Sequence, residues 1–456
     1  MTSIKREMKL GAFVQDVGHH IAAWRHPEVP ADGAFDLDYY RCVAQIAERG
    51  KFDMVFFGDT LGFQYPEDED IGRTSRVLRP EPVTLLAALS TATRDIGLIA
   101  TLSTSYIEPF HVARKFATLD HLSGGRCGWN IVTSTIASEA RNLGREDLMD
   151  HHERYQRAFE FVKVVTGLWD TWQDDAFVRN KSTGQFFDVD KLHVLNHQGE
   201  YFSSRGPLNA PRPPQGHPVL IQAGSSEDGR AFASQVAEVI FTASQTLVEA
   251  QAFYTDIKSR TERNGRSVDD VKVMPGIMPV VGRTEEEAQE KFDRLQKLIH
   301  PSIGWTLLGR HLGGVDLSGY PIDGPLPELP PTQGNQSRQK LLVDMARREG
   351  LSIRQLYERV VGTRGHWLVI GTASQIADQL QARFENGAAD GFNVMAPWLP
   401  GGLEEFVNDV VPELQRRGLF RTEYTGRTLR EHLGLARPHH PSLSKHAEPR
   451  TETVES

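Results

Sequence analysis

Cysteine and long hydrophobic runs are both scarce in this sequence. Only Cys42 and Cys127 occur among 456 residues, so a disulfide framework is excluded. No run approaches the ~18 apolar residues of a membrane span. The first residues lack the apolar segment of a signal peptide. We therefore expect a cytoplasmic protein.

A surplus of positive charge is also missing. The 51 Lys and Arg residues are outnumbered by 60 Asp and Glu, which gives a formal net charge of −9 at pH 7. Nucleic-acid binders usually carry a basic surface, so this class is disfavoured. Apolar material, by comparison, is plentiful. Hydrophobic residues make up 39% of the chain, with 22 Phe, 10 Tyr and 7 Trp, which excludes a largely disordered protein.

Strand-like and helix-like patterns alternate along the chain. Helical segments separate the apolar runs, as parallel strands require of their crossovers. Such strand–helix units in succession predict a closed (β/α)8 TIM barrel, with an open doubly wound sheet as the alternative. The eight strand-like runs are 10–14, 52–57, 96–103, 126–134, 219–223, 237–242, 271–281 and 391–395.

Two long segments interrupt this alternation. One lies near 173–216, after the fourth strand, and the other near 300–365, after the seventh. Insertions of this length in a barrel are expected to act as lids or as contacts between subunits. We predict one barrel domain over 1–435 that carries both insertions, with residues 300–332 irregular. The polar tail, 436–456, is predicted to be disordered.

Small polar residues gather where the predicted strands end, which is where barrels bind their ligands. Asp59 follows the second strand, Thr101 lies in the third, Asn130 lies in the fourth, and Ser225 and Ser226 follow the fifth. Hydroxyl and amide groups suit a neutral ligand with many acceptors better than they suit a metal. For any single residue, capping of the next helix is an equally good explanation.

The turn Ala223-Gly-Ser-Ser226 before a predicted helix is suited to a phosphate. A helix N-terminus offers free N–H groups and partial positive charge, and Gly224 lets the backbone approach the ligand. His151 and Tyr155 are four residues apart at the start of another predicted helix, so they share a face and could reach the same phosphate. The absence of Gly-x-Gly-x-x-Gly and P-loop patterns disfavours NAD-type Rossmann sites and NTPases.

Histidines occur in two predicted loops. His19, His20 and His26 flank Trp24-Arg25 after the first strand, and His311 lies after the seventh. A metal site is disfavoured, because carboxylate and cysteine partners do not occur at ligand spacing. A histidine beside a tryptophan in such a loop favours the wall of a pocket, whereas His311 could equally be a solvated loop residue.

Six segments of the sequence form a distinctive set. They are Trp24-Arg-His-Pro27, Arg49-Gly-Lys-Phe-Asp53, Ala113-Arg-Lys-Phe-Ala-Thr-Leu-Asp-His-Leu-Ser-Gly-Gly-Arg126, Trp129-Asn-Ile-Val-Thr-Ser134, Gln222-Ala-Gly-Ser-Ser226 and Phe420-Arg-Thr-Glu-Tyr424. With them, the sequence resembles the bacterial-luciferase-like flavin-dependent monooxygenases. The closer resemblance is to the branch of nitrilotriacetate, EDTA and dibenzothiophene-sulfone monooxygenases, and it runs from about Lys9 to Leu435.

The resemblance implies a (β/α)8 barrel that binds FMN non-covalently and receives it as FMNH2 from a separate NAD(P)H:flavin reductase. It also implies that reduced FMN and O2 give a C4a-hydroperoxide, which oxygenates a small organic N- or S-containing compound. A homodimer or tetramer is implied as well. The flavin positions carried over to this sequence are Asp59, Thr101, His151, Tyr155 and Ser226, with Asn130 near the flavin ring and Ser225 beside Ser226.

A histidine is expected to hydrogen-bond or protonate the reacting oxygen. We predict His20 as the leading candidate, with His19 as its replacement, and His311 as the second. The substrate stays open. An aminopolycarboxylate would need a cation such as Arg25, whereas a sulfone, thioether or alkane would need an apolar wall, for which the candidates are Phe13, Trp24, Phe56 and Phe57.

Other functions compatible with these patterns remain. A deazaflavin-dependent dehydrogenase would keep the fold and change the chemistry, and it would bind deazaflavin rather than FMN. A flavin-binding protein without turnover would show no substrate loss in the presence of a reductase. A metal-dependent barrel hydrolase would account for the histidines differently, and metal analysis of the pure protein would identify it.

Overall fold

Eight parallel strands form a closed ring in this computed structural model, which describes residues 6–62, 71–317, 319–332 and 336–444. Each strand pairs with the next, and β8 pairs with β1, where Lys9 lies opposite Gly391. The predicted (β/α)8 barrel is therefore confirmed. The strands are β1 Lys9–Val14, β2 Met54–Phe57, β3 Gly97–Ser103, β4 Cys127–Val132, β5 Val219–Ala223, β6 Val239–Thr242, β7 Lys272–Val281 and β8 Gly391–Val394.

Helices surround the barrel and connect its strands. Local signals fix their ends: Ser226 and Thr246 cap two helix starts, and Gly124 adopts the left-handed conformation that ends a third. The helices are α1 Leu37–Arg49, α2 Pro82–Leu89, α3 Pro109–Ser123, α4 Ala137–Asn142, α5 His151–Trp169, α6 Glu227–Val236, α7 Leu247–Arg263, α8 Glu285–Lys297, α9 Pro301–His311, α10 Gln336–Glu349, α11 Ile353–Thr363, α12 Ala373–Glu385, α13 Gly401–Glu405, α14 Val411–Arg416, α15 Leu429–Leu433 and α16 Pro441–Ser444, and a π-helical turn over Phe406–Val410 joins α13 to α14.

Side chains alternate between the interior of the barrel and the helices around it. Trp129 of β4 points outward and packs against Phe116 of α3 and Phe161 of α5, with ring centroids 5.7 and 5.8 Å apart. Its neighbour Gly128 faces inward, where a Cβ would lie 2.6 Å from Ile99. Both faces of each strand are therefore buried, one in the barrel interior and the other against the helices. This explains why the strands form continuous apolar runs in the sequence.

The C-terminal part of the chain fills one end of the barrel. Leu429 and Leu433 of α15 are fully buried in the same cluster as inward side chains of the strands. Arg421 forms a buried ion pair with Asp53 and donates to the His432 carbonyl at 3.0 Å. A ligand site is therefore expected at the opposite end, where the strands have their C-termini. We call that end the barrel mouth.

The long connections contain more regular structure than the sequence predicts. Residues 300–332 were predicted to be irregular, and this is wrong for 301–311, which form α9. Pro301 fits the first turn of a helix, and Leu307 and Leu308 are buried against α10 and α11. A further strand, Trp367–Gly371, pairs in parallel with the end of β7, so Trp367 lies opposite Ile277. A hairpin of His197–Gln198 and Ser203–Ser204 lies between β4 and β5.

The first residues of the predicted disordered tail pack against the protein. His440 is buried and its Nε2 lies 2.8 Å from the carbonyl oxygen of Asp170, while Arg437 pairs with Asp174 at 2.8 Å. Residues 436–444 were predicted to be disordered because their composition is polar. These contacts show instead that specific hydrogen bonds and an ion pair hold the segment against the protein. The rest of that prediction, over 445–456, lies outside the described residues.

Membrane insertion has no support in the described helices. None of them combines the length and the apolar composition that crossing a membrane requires.

Candidate active site at the barrel mouth

Aromatic rings form the floor of the barrel mouth. Phe13 of β1 lies 5.0 Å from Phe56 of β2 and 5.3 Å from Phe241 of β6, measured between ring centroids. Two other residues predicted for this wall lie elsewhere. Phe57 points outward and packs on Tyr40, and Trp24 lines a separate cavity beside the α8–α9 connection.

Hydroxyl and amide groups line the mouth on the side of β2–β5, which we call the strand side. Thr101 donates to the Phe57 carbonyl at 2.7 Å and accepts from Asn130 Nδ2 at 2.9 Å. These bonds fix the amide of Asn130, whose Oδ1 is buried and has no hydrogen-bond partner within the described part of the chain. An unpaired buried acceptor costs about 1–3 kcal/mol, which a ligand N–H group would remove.

Asp59 lies at the end of β2 on the same side. Burial raises its pKa to about 6, against opposing effects of the Thr60 N–H and of Arg79. Glu81 and Glu139 raise it further. Its carboxyl group therefore changes charge in the mildly acidic range, close to the ligand space.

The N-termini of α5 and α6 meet at the edge of the strand side. Ser226 caps α6, since its Oγ accepts from Gly229 N at 3.1 Å, and its side chain also hydrogen-bonds Tyr155. A Cβ at position 224 would lie 3.1 Å from the Tyr155 hydroxyl, so glycine is what permits this close approach. Burial raises the pKa of Tyr155, so its phenol stays protonated and can donate.

His151 joins this group from the first turn of α5. Its ring centroid is 5.2 Å from that of Tyr155, and its Nδ1 lies 3.0 Å from Asp228 Oδ2. The structure thus brings His151 and Tyr155, which share a face of α5, close to Ser225 and Ser226 at the start of α6. Their role in holding a phosphate stays a prediction.

Adjacent histidines after β1 have different environments. His20 is satisfied at both nitrogens: Nδ1 accepts from the Ala22 N–H at 3.2 Å, so Nε2 carries the proton and donates to Gln296 at 3.0 Å. Its ring faces Phe292, on α8, rather than the aromatic floor. Burial lowers its pKa to about 4. The structure therefore does not place His20 among the groups of the mouth.

His19, the replacement candidate, does lie at the mouth. Its ring is 6.4 Å from Phe13, and its Nε2 must donate to the carbonyl of Thr363 at 3.0 Å, since a carbonyl only accepts. In the neutral ring, Nδ1 is then an acceptor, and it is buried without a partner among the described residues. Burial, then Arg364, His366 and Arg76, hold the pKa of His19 well below its usual value.

His366, which the sequence patterns did not single out, completes this arrangement. It stacks on Phe241 at 5.2 Å and lies 5.6 Å from His19 between ring centroids. Arg338 Nη2 lies 3.4 Å from its Nε2, so Nε2 accepts and Nδ1 carries the proton. That Nδ1–H is also buried with no partner in the described ranges. A free acceptor and a free donor therefore lie on adjacent rings.

Three arginines surround these histidines on the side of the insertion after β7, which we call the insertion side. Arg76 donates to the carbonyls of Gly18 and His19, and Arg364 donates to Gln15 Oε1. Arg338 donates to the carbonyl of Arg364. His311, at the end of α9, is half-buried beside them: burial and then the charges of these three arginines lower its pKa strongly.

Arg25, the only cation proposed from sequence, lies elsewhere. It is exposed and its guanidinium donates to the carbonyl of Leu298, outside the mouth. The described residues contain no group of three or more His, Cys, Asp or Glu side chains arranged to hold a metal ion. The groups described at the mouth are therefore hydroxyls, amides, the carboxyl group of Asp59, neutral histidines and guanidinium groups.

Comparisons with known proteins decide the family. The model of the family described as luciferase-like monooxygenase matches residues 17–390. The N-acetyl-S-(2-succino)cysteine monooxygenase of Bacillus subtilis (strain 168) is 54% identical over 440 residues, covering 96% of this chain and 99% of that protein. Nitrilotriacetate monooxygenase component A of Aminobacter aminovorans is 48% identical over 441 residues, covering 95% and 97%. The chain belongs to the luciferase-like monooxygenase family.

A solved structure supports the same conclusion. The crystal structure of a riboflavin lyase with modified FMN and riboflavin has a TM-score of 0.86 and 32% identity, covering 97% of this chain and 100% of that one. The resemblance inferred from the sequence is thereby confirmed, including the branch that contains nitrilotriacetate monooxygenase. As a luciferase-like monooxygenase, the protein is a flavin-dependent enzyme.

The residues at the mouth fit a flavin mononucleotide. The donors of Tyr155 and of the α6 N-terminus suit its phosphate. The unpaired Oδ1 of Asn130 suits an N–H group of the flavin ring, and the aromatic floor suits the apolar ring surface. These features come from different strands and helices, so they coincide only because the barrel brings its strand ends together.

Proposed function

We propose that this monooxygenase is the oxygenase component of a two-component system. It binds reduced FMN supplied by a separate NAD(P)H:flavin reductase, and it uses O2 to oxygenate a small organic N- or S-containing compound. A relative that is named component A supports a separate partner, and two relatives are named for N- and S-containing compounds. The observation that carries the proposal is the phosphate-type site of Tyr155 and Ser226 beside a buried aromatic floor.

Each side of the mouth has a distinct task in this proposal. Ser225, Ser226 and Tyr155 would hold the phosphate of FMN, with His151 beside them. Asp59, Thr101 and Asn130 would hydrogen-bond the rest of the cofactor, because these residues match the flavin positions that the family resemblance implies. When bound, reduced FMN supplies the activation of O2.

The protein must then exclude water and hold the reacting oxygen. Phe13, Phe56 and Phe241 would keep the floor dry. His366 Nδ1–H would donate a hydrogen bond to the reacting oxygen, and Nδ1 of His19 would accept one. Low pKa values keep both rings neutral at pH 7, so they provide hydrogen bonds without placing further positive charge there. His311, the second candidate from the sequence, stays a prediction; it lies beside the same arginines.

Oxygen-isotope labelling tests the proposal. Purified protein is mixed with FMN, NADH, an unrelated flavin reductase and a panel of thioethers, tertiary amines and sulfones under 18O2. We expect one labelled atom in a product that forms only with all components present. The double variant Tyr155→Phe/Ser226→Ala, which lacks two phosphate donors, serves as the negative control.

Other outcomes of that experiment identify the alternatives. Binding of FMN with no label in any compound of the panel would favour a flavin-binding protein without turnover. Preferential binding of deazaflavin, together with substrate oxidation under nitrogen, would favour a dehydrogenase on the same barrel. Either result would contradict the oxygenase assignment.

A further inference from the structure

Asp228 brings a negative charge to the site proposed for the phosphate of FMN. It lies in the first turn of α6, two residues after the cap Ser226. It is also close to Tyr155, whose pKa is raised mainly by burial and in part by the charge of Asp228. A phosphate monoester carries about two negative charges at neutral pH, so a carboxylate in this position repels it. Binding of the phosphate therefore requires a compensating positive charge nearby.

Two consecutive histidines of α5 donate hydrogen bonds to this carboxylate. His151 Nδ1 lies 3.0 Å from Asp228 Oδ2, and His152 Nδ1 lies 3.0 Å from Asp228 Oδ1. The side chain of His151 is 16% exposed and that of His152 is 66% exposed, so His151 is the inner ring of the two. One carboxylate thus joins the first turns of the two helices whose N-termini meet at the proposed phosphate site.

The hydrogen bond to Asp228 determines which nitrogen of His151 carries the proton. A carboxylate only accepts, so Nδ1 is the protonated nitrogen, and Nε2 of the neutral ring is an acceptor. An acceptor cannot bind a phosphate dianion, whose oxygens also only accept. The imidazolium form, by contrast, offers Nε2–H as a donor and supplies the missing positive charge.

The groups around His151 favour this charged form once a phosphate is present. Asp228 on α6 and Asp150, the cap of α5, are both acidic and interact with the ring. The phenol of Tyr155 stays protonated and adds no charge. His152 shares the carboxylate, but it is exposed and water screens its charge. A phosphate that enters the site adds negative charge and stabilises the imidazolium further.

We propose that Asp228 is a positioning residue that links the binding of FMN to the uptake of one proton by His151. Because Asp228 holds Nδ1–H, the incoming proton goes to Nε2, where it can be donated to the phosphate. The inference rests on the proposed function, since it requires the phosphate of FMN at this site. Reduced FMN should therefore bind more weakly as pH rises, by up to about tenfold per pH unit.

Anaerobic calorimetric titration with reduced FMN measures the proton directly. Heats at pH 7.5 are compared in two buffers with different ionisation enthalpies, because their difference gives the number of protons taken up. The phosphate of free FMN is almost fully ionised at this pH, since its second ionisation lies near pH 6. Reduced riboflavin has the same ring without the phosphate, so proton exchange at the ring is subtracted. We expect FMN to take up about 0.5–1 proton more than riboflavin.

Variants of the two acidic residues in the first turn of α6 test the role of Asp228. Asp228→Asn should abolish the additional proton uptake and weaken FMN binding about tenfold, although it removes a negative charge. His151→Gln should abolish the uptake as well. The matched control is Glu227→Gln, which removes an equal charge from the same turn, where Glu227 pairs with Arg260 of α7 at 2.6 Å. It should keep the uptake and an FMN affinity within about twofold.

The possible results separate this inference from the proposed function. Tighter FMN binding in Asp228→Asn, with unchanged proton uptake, would show that Asp228 only repels the phosphate and would overturn the inference. Equal uptake with FMN and riboflavin in the native protein would overturn it without reference to any variant, and would leave the proposed function intact. Riboflavin that binds as tightly as FMN would contradict the phosphate site, and absence of FMN binding would contradict the proposed function; either would remove the inference as well.

Discussion

The two sides of the barrel mouth differ in how their residues are positioned. On the strand side, Thr101 and Asn130 belong to neighbouring strands and hydrogen-bond each other at 2.9 Å. On the insertion side, His366 and Arg338 come from the connection between β7 and β8, where Arg338 contacts His366 from α10. The barrel strands therefore position the side proposed for the cofactor, whereas the long connection positions these two residues on the opposite side.

Their electrostatics differ in the same sense. The strand side presents hydroxyls, amides and Asp59, whose pKa of about 6 lets it lose its charge in mild acid. The insertion side presents guanidinium groups and histidines that these groups help to keep neutral. A cofactor with one phosphate and a neutral ring system suits the first side. Variants that affect one side only can test this division.

Removing two donors from the strand side should have the largest effect. In Tyr155→Phe/Ser226→Ala, the phosphate of FMN loses two hydrogen bonds, each worth about 1.5–3 kcal/mol to a charged group, so we expect at least about 100-fold weaker binding. Fluorescence titration with FMN measures the change, and far-ultraviolet circular dichroism should be unaltered.

A second helix cap provides the matched control. Ser226→Ala removes the N-cap of α6 as well as a ligand group, and the lost cap alone costs about 1 kcal/mol. Thr246→Ala removes the equivalent cap from α7, outside the site. If Thr246→Ala weakened FMN binding as much as the double variant, general destabilisation would explain the loss and the phosphate assignment would be lost.

The adjacent histidines give the next prediction. Replacement of His19 by alanine removes an unpaired acceptor from the mouth, so we expect kcat to fall about 100-fold, as for a positioned proton-handling group. Replacement of His20 by alanine breaks bonds to Ala22 and Gln296, so it should lower Tm and leave kcat within about threefold. The rate of product formation at saturating substrate measures kcat, and differential scanning calorimetry measures Tm. The reverse pattern would restore His20 as the catalytic candidate.

Much of the strand side could be predicted, because side chains along a strand point alternately into the barrel and out of it. Once β3 and β4 are recognised, Thr101 and Asn130 must lie on the inner face, and the barrel topology brings their ends together. His151 and Tyr155 follow from helical spacing in the same way. Phe57 shows the limit of the argument: it is as apolar as Phe56, and only the register of β2 shows that it points outward.

The insertion side could not be predicted, because no periodicity governs a connection. Arg76, Arg338 and Arg364 are far apart in sequence, and nothing in their neighbours indicates that they meet. One signal was available for His366. The apolar run Trp367–Gly371 forms a strand that pairs with the end of β7, so the residue before it must lie at the mouth. Recognition of that run as a strand would have pointed to His366.

The acidity of Asp59 provides a smaller test of the strand side. Its folded pKa of about 6 lies above the usual 3.8, so the folded protein binds the extra proton between those values. Stability gained from that proton is present in acid and is lost as pH rises through about 6. Two pKa units correspond to about 3 kcal/mol, which we reduce to about 1–2 kcal/mol because the side chain is partly exposed.

Asp59→Asn should therefore raise Tm at pH 7.5 and leave it nearly unchanged at pH 4. Calorimetric scans of both proteins at the two pH values measure this difference. The same variant should weaken FMN binding if the carboxylate contacts the cofactor, which would make the residue one that reduces stability in favour of binding. A variant whose Tm differs from that of the native protein equally at both pH values would show that the charge of Asp59 is not the cause.

The smallest expected effect concerns Arg25, which sequence reasoning proposed as the cation of the substrate pocket. Arg25 is exposed and donates to the Leu298 carbonyl beside a cavity of about 240 Å³ that Trp24 also lines. Arg25→Ala should therefore change the KM for any substrate that the protein oxygenates by less than about twofold, because an exposed charge outside the mouth is screened by water and salt. Arg338→Gln, with an equal loss of charge, should have the larger effect on turnover, because Arg338 contacts His366 at the mouth. A larger effect from Arg25 than from Arg338 would place substrate recognition at the loop after β1 and the α8–α9 connection, and the division between the two sides of the mouth would fail there first.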